Sequence, residues 1–229
     1  MFLNCKNLSF KYNKTNQYIF KNIYFEITDS GFHSLFGPSG AGKSTLAKII
    51  AGEIIQSSGE INYCNIKKVI YTYNQEKIPG WYNIKDHYIK VIDESKLNEL
   101  FKIVKDFGML QCLKSRYEQL SLGQKNRANL IRYLFQDFDL MIMDESLANV
   151  DEKTRQEIIY IIKQRFPDKS FLYISHNLQE VAKFCKEIYV IRNIHVNPQI
   201  KMVKGLDLME NCNINQDMLD ARLLEILNA

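Results

Sequence analysis

The stretch GPSGAGKST, residues 37 to 45, matches the pattern G-x-x-x-x-G-K-[ST]. A strand pattern (FHSLF) precedes it and a helix pattern (STLAKIIAG) follows, which is the context that this pattern requires. The glycines let backbone N–H groups wrap a polyphosphate, Lys43 would reach its β- and γ-phosphates, and the Ser44 hydroxyl would bind Mg²⁺. A glycine-rich turn without a ligand is the less favoured alternative, because both flanks are right. The predicted phosphate-loop residues are Gly37, Pro38, Ser39, Gly40, Ala41, Gly42, Lys43, Ser44 and Thr45.

The order of strand and helix patterns predicts the fold class. Residues 1–36 alternate as strands do, and after the phosphate loop helix patterns alternate with short apolar runs. Such alternation predicts an α/β fold with a mostly parallel sheet covered on both faces, here with an N-terminal antiparallel β part. We predict one domain with a core of residues 1–78 and 121–204, an inserted α-helical subdomain of residues 79–120, and a helical tail of residues 205–229.

Composition limits the possible locations and partners. Of the 229 residues, 46% are hydrophobic and 24% are charged, and the net charge is +4. A net charge this small does not require a nucleic-acid partner, and no such partner is expected. The five cysteines form no C-x-x-C pair, which argues against a zinc site and fits a reducing compartment. No run approaches the roughly 18 apolar residues of a membrane span, and no signal peptide is recognised. A cytoplasmic chain is expected.

Two acidic residues end the apolar run LMIMDE, residues 140 to 145. Ligand chemistry in an open α/β sheet is located at the carboxyl ends of the strands. We therefore predict that Asp144 holds Mg²⁺, directly or through water, and that Glu145 polarises the attacking water. A surface Asp-Glu turn is the alternative, which the phosphate loop makes less favoured.

The stretch QLSLGQKNRANL, residues 119 to 130, has the pattern of a helix start. Ser121 and Gln124 have the spacing of a capping box. A helix N-terminus of this kind also attracts anions, because its N–H groups and dipole are positive. From these residues alone, a cap and an anion site both remain open.

Five motifs together resemble those of an ATP-binding cassette (ABC) ATPase. They occur in the family's order and at roughly its spacing, and LSLGQ (120–124) is similar to the family signature LSGGQ. The resemblance runs from Tyr12 to about Arg192 and implies a P-loop NTPase core that binds ATP and Mg²⁺. The motifs are GPSGAGKST, Gln75, LSLGQ, LMIMDE and His176.

The resemblance also implies roles for residues that carry little signal alone. Tyr12 resembles the aromatic residue that stacks on adenine, although a tyrosine in a strand usually only packs. Gln75 resembles the residue that links Mg²⁺ and the water to the helical subdomain. His176 resembles the histidine that contacts the γ-phosphate, although a lone histidine is more often structural.

Two cassettes of this family pack head to tail, so the resemblance implies a second ABC ATPase subunit, expected to be a second copy of this chain. Ser121, the N–H of Gly123 and Gln124 would then bind the ATP held by the partner's phosphate loop. Leu122 replaces a signature glycine, which is harmless if its side chain points outward. ESLANVD (145–151) replaces the family's E-P-T-S-A-L-D, and this change bears on the coupling between the two sites.

The resemblance implies an ATPase that drives a separate transmembrane permease from the inner face of the cell membrane. Gln75-x-x-x-Pro79-x-Trp81 resembles a segment of importers of small organic anions, which modestly favours import; Trp81 as a core anchor is the favoured alternative. A non-transport cassette, a small-molecule kinase and a catalytically silent scaffold are the other functions considered. A kinase would have no use for LSLGQ.

Overall fold

The computed structural model describes residues 2–12, 17–74, 76–77, 82–209 and 215–229. The described residues form nine strands, seven α-helices and three short 3-10 turns. In chain order these are β1 (Phe2–Lys11), β2 (Tyr18–Ile27), β3 (Gly31–Phe36), α1 (Lys43–Ile50), β4 (Ser58–Cys64), β5 (Val69–Tyr73), α2 (Ile84–Val91), a turn (Glu94–Lys96), α3 (Leu97–Asp106), turns (Leu110–Cys112, Tyr117–Gln119), α4 (Leu122–Leu134), β6 (Leu140–Asp144), α5 (Glu152–Arg165), β7 (Ser170–Ile174), α6 (Leu178–Phe184), β8 (Glu187–Ile191), β9 (Ile200–Lys204) and α7 (Gln216–Leu227).

The chain forms two compact units. We call the first unit Met1–Tyr71, Phe138–Asp144 and Phe166–Ala229, and the second unit Thr72–Asp137 and Glu145–Arg165. Within the part of the chain described above, no helix has both the length and the apolar character needed to cross a membrane.

The first unit contains the predicted antiparallel part. Strands β2, β1 and β4 form a three-stranded sheet in that order, with both pairs antiparallel. Strand β4 was not predicted, because its sequence SGEINYC is polar and its side chains are mostly exposed. Pairing with the edge of β1, rather than a buried apolar face, defines this strand.

A second sheet has the strand order β5-β6-β7-β3-β8-β9. Its central pairs β6–β7, β7–β3 and β3–β8 are parallel, whereas β9 pairs with β8 in the antiparallel direction. All residues of β6 and β7 are buried, as expected for strands covered on both faces. The predicted mixed α/β fold with a mostly parallel sheet is confirmed. The parallel directions bring the carboxyl ends of β3, β6 and β7 to one edge of the sheet.

The first unit has a continuous apolar core between the two sheets and α1. Leu35 of β3, Leu46 of α1 and Ile142 of β6 are all fully buried there. Burying such a side chain contributes about 1.5–3 kcal/mol. Both β3 and α1 contribute to this core, and the phosphate-loop motif begins directly after β3 and ends in the first turn of α1.

The second unit is built on helices. Helix α3 buries Leu100, Ile103 and Val104 on one face, at the helical spacing that the sequence shows. Tyr88 of α2 is fully buried, and its hydroxyl donates a hydrogen bond of 3.0 Å to the carbonyl of Ala128 in α4. Trp81, considered as an anchor of this subdomain, lies outside the described residues.

Candidate functional site

The phosphate loop connects β3 to α1 and depends on two of its glycines. Gly37 has φ +146°, and a Cβ atom there would lie 2.3 Å from the carbonyl oxygen of Ile191. Gly42 has φ +95°, and its Cβ would lie 2.5 Å from Cγ2 of Ile19. Gly42 is also the N-cap of α1 and supplies no side-chain cap, so the first turn offers its N–H groups to an anion.

Lys43 is held against the loop that it is predicted to serve. Its side chain is buried, and Nζ donates to the carbonyl oxygens of Gly37 at 2.8 Å and of Pro38 at 2.9 Å. A buried ammonium needs such acceptors, because charge is costly away from water. The same ammonium can serve phosphate oxygens entering this loop.

Tyr12 lies beside the same loop, within the first unit. Its hydroxyl is 3.0 Å from the hydroxyl of Thr45, the last residue of the phosphate-loop motif. Its ring packs edge-on against Phe10, with ring centroids 4.9 Å apart, and the residue is 45% exposed. An exposed ring at this position can take a planar base on its face.

Asp144 ends β6 with a buried carboxylate. The Tyr71 hydroxyl donates a hydrogen bond of 2.7 Å to the Asp144 carboxylate, and no sequence pattern predicts this contact. Asp144 and the exposed hydroxyl of Ser44 are both hard oxygen ligands of the kind that Mg²⁺ prefers. The described residues contain no group of three or more His, Cys, Asp or Glu side chains arranged for a metal.

Glu145 begins the second unit with a left-handed backbone. Its φ is +52°, which is uncommon for a residue other than glycine, asparagine or aspartate. Such a conformation costs on the order of 1–3 kcal/mol and is concentrated at functional sites. The carbonyl of Glu145 accepts a hydrogen bond of 3.0 Å from the N–H of Ala148, which closes the turn after it.

His176 follows β7, and its side chain is exposed. Together with the phosphate loop it lines a cavity of about 600 Å³ in the first unit. The structure therefore brings His176 and the phosphate loop together. Residues Arg192 and Asn193 after β8 and the end of α7 also line this cavity, and no motif in the sequence indicated them. The full lining is Phe36, Gly37, Pro38, Ser39, His176, Val190, Ile191, Arg192, Asn193, Ile226, Leu227, Asn228 and Ala229.

Helix α4 of the second unit begins with a capping box, one of the two possibilities that its sequence leaves open. The Ser121 Oγ accepts from the N–H of Gln124 at 3.3 Å, and the Gln124 Oε1 accepts from the N–H of Ser121 at 2.9 Å. Leu122 is 51% exposed, so its side chain does point outward. At Gly123 a Cβ atom would lie 2.4 Å from the carbonyl oxygen of Asn149.

The altered loop ESLANVD is anchored within the second unit by side chains that sequence reasoning overlooked. Ser146 is buried and hydrogen-bonded to the hydroxyl of Thr72, and Asn149 donates to Asn74 at 3.0 Å. At the end of the loop the Asp151 carboxylate accepts the N–H of Thr154 at 3.0 Å. That N–H holds the pKa of Asp151 below its ordinary value, which keeps the start of α5 capped by an anion.

Gln75, predicted to act on Mg²⁺ and water, lies outside the described residues. Its neighbours Asn74 and Glu76 are described, and both belong to the second unit. The two units thus divide the predicted site residues between them. Tyr12, the phosphate loop, Asp144 and His176 belong to the first unit, and Ser121, Gly123, Gln124 and Glu145 to the second.

Comparison with known proteins supports the resemblance. The family model described as ABC transporter matches residues 20–148, more than half of the chain. A zinc import ATP-binding protein of Acinetobacter baylyi is 28% identical over 183 residues, which are 78% of this chain and 69% of that protein. A molybdenum import ATP-binding protein of Saccharophagus degradans is 35% identical over 187 residues, which are 73% of this chain and 51% of that protein.

Among solved structures, one match is a dimeric ATP-binding cassette in a post-hydrolysis state, bound to ADP and Pi. The matched region covers 88% of this chain and 98% of that chain, with a TM-score of 0.73. Its sequence is 20% identical, so this likeness shows the fold. The family model and the fold lead to the same assignment. The chain belongs to the ABC transporter family, as an ATP-binding protein with the ATPase activity of that family.

Proposed function

We propose that two copies of this chain close on ATP, and that hydrolysis reopens them and drives a separate transmembrane permease. In this proposal the chain is peripheral, at the inner face of the cell membrane, and import of a small solute is modestly favoured over export. A non-transport cassette is the alternative that the experiment below must exclude.

One observation carries the proposal. Each of three neighbouring parallel strands in the first unit leads directly to a polar group suited to one part of Mg·ATP. Strand β3 leads into the phosphate loop with its buried Lys43, β6 ends in Asp144, and β7 leads to His176. Strand ends that converge on one edge are where α/β sheets bind their ligands.

Residues of different chemical type would bind different parts of Mg·ATP and of the attacking water. The loop N–H groups and Lys43 would bind the phosphates, and Ser44 and Asp144 would hold Mg²⁺. When bound, the metal ion would neutralise charge on the β- and γ-phosphates. Glu145 would accept a proton from the attacking water, and His176 would bind the γ-phosphate. The predicted roles of Tyr12 at the adenine and of Gln75 at the water and Mg²⁺ are part of the same proposal.

The second copy is proposed because the first turn of helix α4 has hydrogen-bonding groups that its own capping box does not use. The box engages the N–H groups of Ser121 and Gln124, and a phosphate would take the N–H of Gly123 together with the Ser121 hydroxyl. Ser121 and Leu122 are both exposed, as a site that meets a partner's nucleotide requires.

Import is favoured because two relatives are named for it, one for zinc and one for molybdenum. The segment from Gln75 through Pro79 to Trp81, which also favoured import, lies largely outside the described residues. The transported solute is left open, because contacts with the solute belong to the permease in this proposal.

Purification of the chain from its native membranes tests the proposal. A tagged Glu145→Gln chain, loaded with ATP and Mg²⁺, should elute as a dimer on gel filtration and should copurify with one integral membrane protein. Reconstitution of that complex in vesicles, with ATP outside or inside, then gives the direction of transport. A dimer that copurifies only with soluble proteins would favour the non-transport alternative, and a chain that neither binds nor hydrolyses ATP would contradict the proposal altogether.

A further inference from the structure

Three asparagine side chains of the second unit meet at one oxygen atom. The Oδ1 of Asn74 accepts hydrogen bonds from the Nδ2 of Asn126 at 3.1 Å and from the Nδ2 of Asn149 at 3.0 Å. Asn126 is buried, with 4% of its surface exposed. An amide oxygen has two lone pairs, so these two donors use its full capacity.

Each of the three residues belongs to a different part of the predicted machinery. Asn74 follows β5 and directly precedes Gln75 in the chain. Asn126 lies on α4, five residues after Ser121. Asn149 lies in the loop 145–151 that begins with Glu145, and its carbonyl oxygen is the atom that packs against Gly123.

A second hydrogen bond attaches the same loop to the same strand. Ser146, buried with 5% exposed, is hydrogen-bonded through its hydroxyl to that of Thr72, buried with 2% exposed. Loop and strand end are thus joined at two points, Ser146 to Thr72 and Asn149 to Asn74. In the family pattern E-P-T-S-A-L-D, proline and alanine stand at positions 146 and 149, and neither side chain could form such a bond.

The other neighbour of residue 75 is also fixed to α4. The Glu76 carboxylate accepts from Arg132 at 2.7 Å and from the hydroxyl of Tyr133 at 2.5 Å, and the Glu76 carbonyl accepts from Asn129 at 2.7 Å. Asn126, Asn129 and Tyr133 lie on one face of α4, at i, i+3 and i+7. The residues on both sides of position 75 are therefore attached to this helix.

We propose that Ser146 and Asn149, through Thr72 and Asn74, are positioning residues for ATP hydrolysis that offset the loss of the family's loop sequence. They hold the loop that starts at Glu145 against the strand end that precedes residue 75, and Asn126 ties that strand end to α4. Neither side chain touches the nucleotide in this account. The inference rests on the proposed function, because it assumes that Glu145 acts on water.

The test compares isosteric changes at Asn74. Asn74→Asp keeps an acceptor for both amide donors, whereas Asn74→Leu keeps the shape and removes the acceptor. Asn74→Leu and Asn149→Ala should each lower kcat by about five- to tenfold, the effect of losing an ordinary hydrogen bond, with the KM for ATP unchanged. Asn74→Asp should retain the parent kcat. Asn98→Ala, on an exposed position of α3, is the matched control for asparagine loss.

Two further comparisons separate positioning from general stability. The double variant Asn74→Leu with Asn149→Ala should have the kcat of the worse single variant, because both remove the same bond. Ser146→Ala should lower kcat, and Ser146→Thr, which keeps the hydroxyl, should restore it. Rates are normalised to the fraction of chain that binds ATP.

The inference is overturned if Asn149→Ala and Ser146→Ala keep the parent kcat, if Asn74→Asp is as slow as Asn74→Leu, or if the two losses multiply in the double variant. In those cases the hydrogen bonds serve folding alone. A parent chain without ATPase activity contradicts the proposed function as well. A parent chain that hydrolyses ATP, loses this activity in Glu145→Gln and tolerates Asn149→Ala contradicts only this inference.

Discussion

The Cα of Gly123 lies so close to the carbonyl oxygen of Asn149 that a Cβ on Gly123 would be 2.4 Å from it. No side-chain movement can relieve that contact, because the neighbouring atom belongs to the backbone. The first turn of α4 and the loop after Glu145 therefore pack in close contact within the second unit. The sequence motif explains this glycine by a phosphate contact, and the structure adds a packing reason.

Gly123→Ala should displace the loop 145–151 from α4. Overpacking of this kind costs about 1–3 kcal/mol of stability. Chemical denaturation should show the loss, and steady-state ATPase assays should show a larger loss of turnover than stability alone explains. Leu122→Ala, which shortens an exposed side chain in the same turn, should keep the stability of the parent. Equal stability of Gly123→Ala and the parent would show that the loop moves at no cost.

Lys43→Ala should abolish or strongly weaken ATP binding without unfolding the protein. In the proposed site, the ammonium neutralises charge on the β- and γ-phosphates that backbone N–H groups alone do not offset. Isothermal titration calorimetry measures the affinity, and circular dichroism checks the fold. Lys6→Ala, at an exposed lysine of β1, is the control for loss of one positive charge. Unchanged affinity in Lys43→Ala would contradict the assignment of the phosphate loop.

Glu145→Gln should act on turnover and leave ATP binding intact. The amide keeps the size of the side chain but removes the charge that is proposed to polarise water, and this loss should cost on the order of 10²-fold or more in kcat. The variant should also accumulate as an ATP-bound dimer, which gel filtration detects. Glu157→Gln, on an exposed position of α5, should behave as the parent does. Hydrolysis at the parent rate would show that another group accepts the proton.

Tyr71→Phe should weaken the binding of Mg²⁺ with ATP. The change removes only the hydroxyl that donates to the Asp144 carboxylate at 2.7 Å. Asp144 is proposed to hold Mg²⁺, and loss of an outer partner of a metal ligand typically costs about 10–100-fold in metal affinity. Calorimetric titration of ATP with and without Mg²⁺ should show a smaller metal effect than in the parent. Tyr63→Phe, which removes a hydroxyl bonded to the Ile50 carbonyl, should leave the metal effect unchanged.

Mixing two variants tests the composite site. Ser121→Ala should cost about 0.5–2 kcal/mol as a lost helix cap, and in the proposed dimer it should also disable the partner's site. In a mixed dimer of Lys43→Ala and Ser121→Ala chains, both defects fall in one site and the other site is intact. Mixing should therefore restore ATPase activity that neither variant shows alone.

The control for this experiment tests whether the two variants form mixed dimers. ATP-dependent dimerisation of the mixture, followed by gel filtration, shows whether mixed dimers form even if the two sites turn over only together. Full activity of Ser121→Ala alone, with a melting temperature a few degrees lower, would mean that the residue only caps its own helix.

Local patterns of the sequence were sufficient for the parts of the site that depend on neighbouring residues. The glycines of the phosphate loop, the acidic end of β6 and the capping box of Ser121 and Gln124 are each recognisable within about ten residues, because their chemistry is set by spacing along one loop or helix turn. The alternation of strand and helix patterns likewise predicted the parallel sheet.

The contacts that the sequence did not predict join residues that are distant in the chain. Tyr71 and Asp144 are 73 residues apart, and Asn74 and Asn149 are 75 apart. A polar side chain at a strand end has no periodicity that would indicate its partner. Strands β4 and β9 were missed for the same reason, since neighbouring strands define them more than their own composition.

The sequence by itself determined the family, the phosphate loop and the fold class, because those rest on local backbone requirements and on the period of apolar residues. The tertiary structure decided which side chains support them. It gave the Asp144 carboxylate a donor in Tyr71, brought His176 to the phosphate loop, and joined the altered loop 145–151 to the end of β5. These contacts join residues that are distant in the chain, and only the packed sheet and helices bring such residues together.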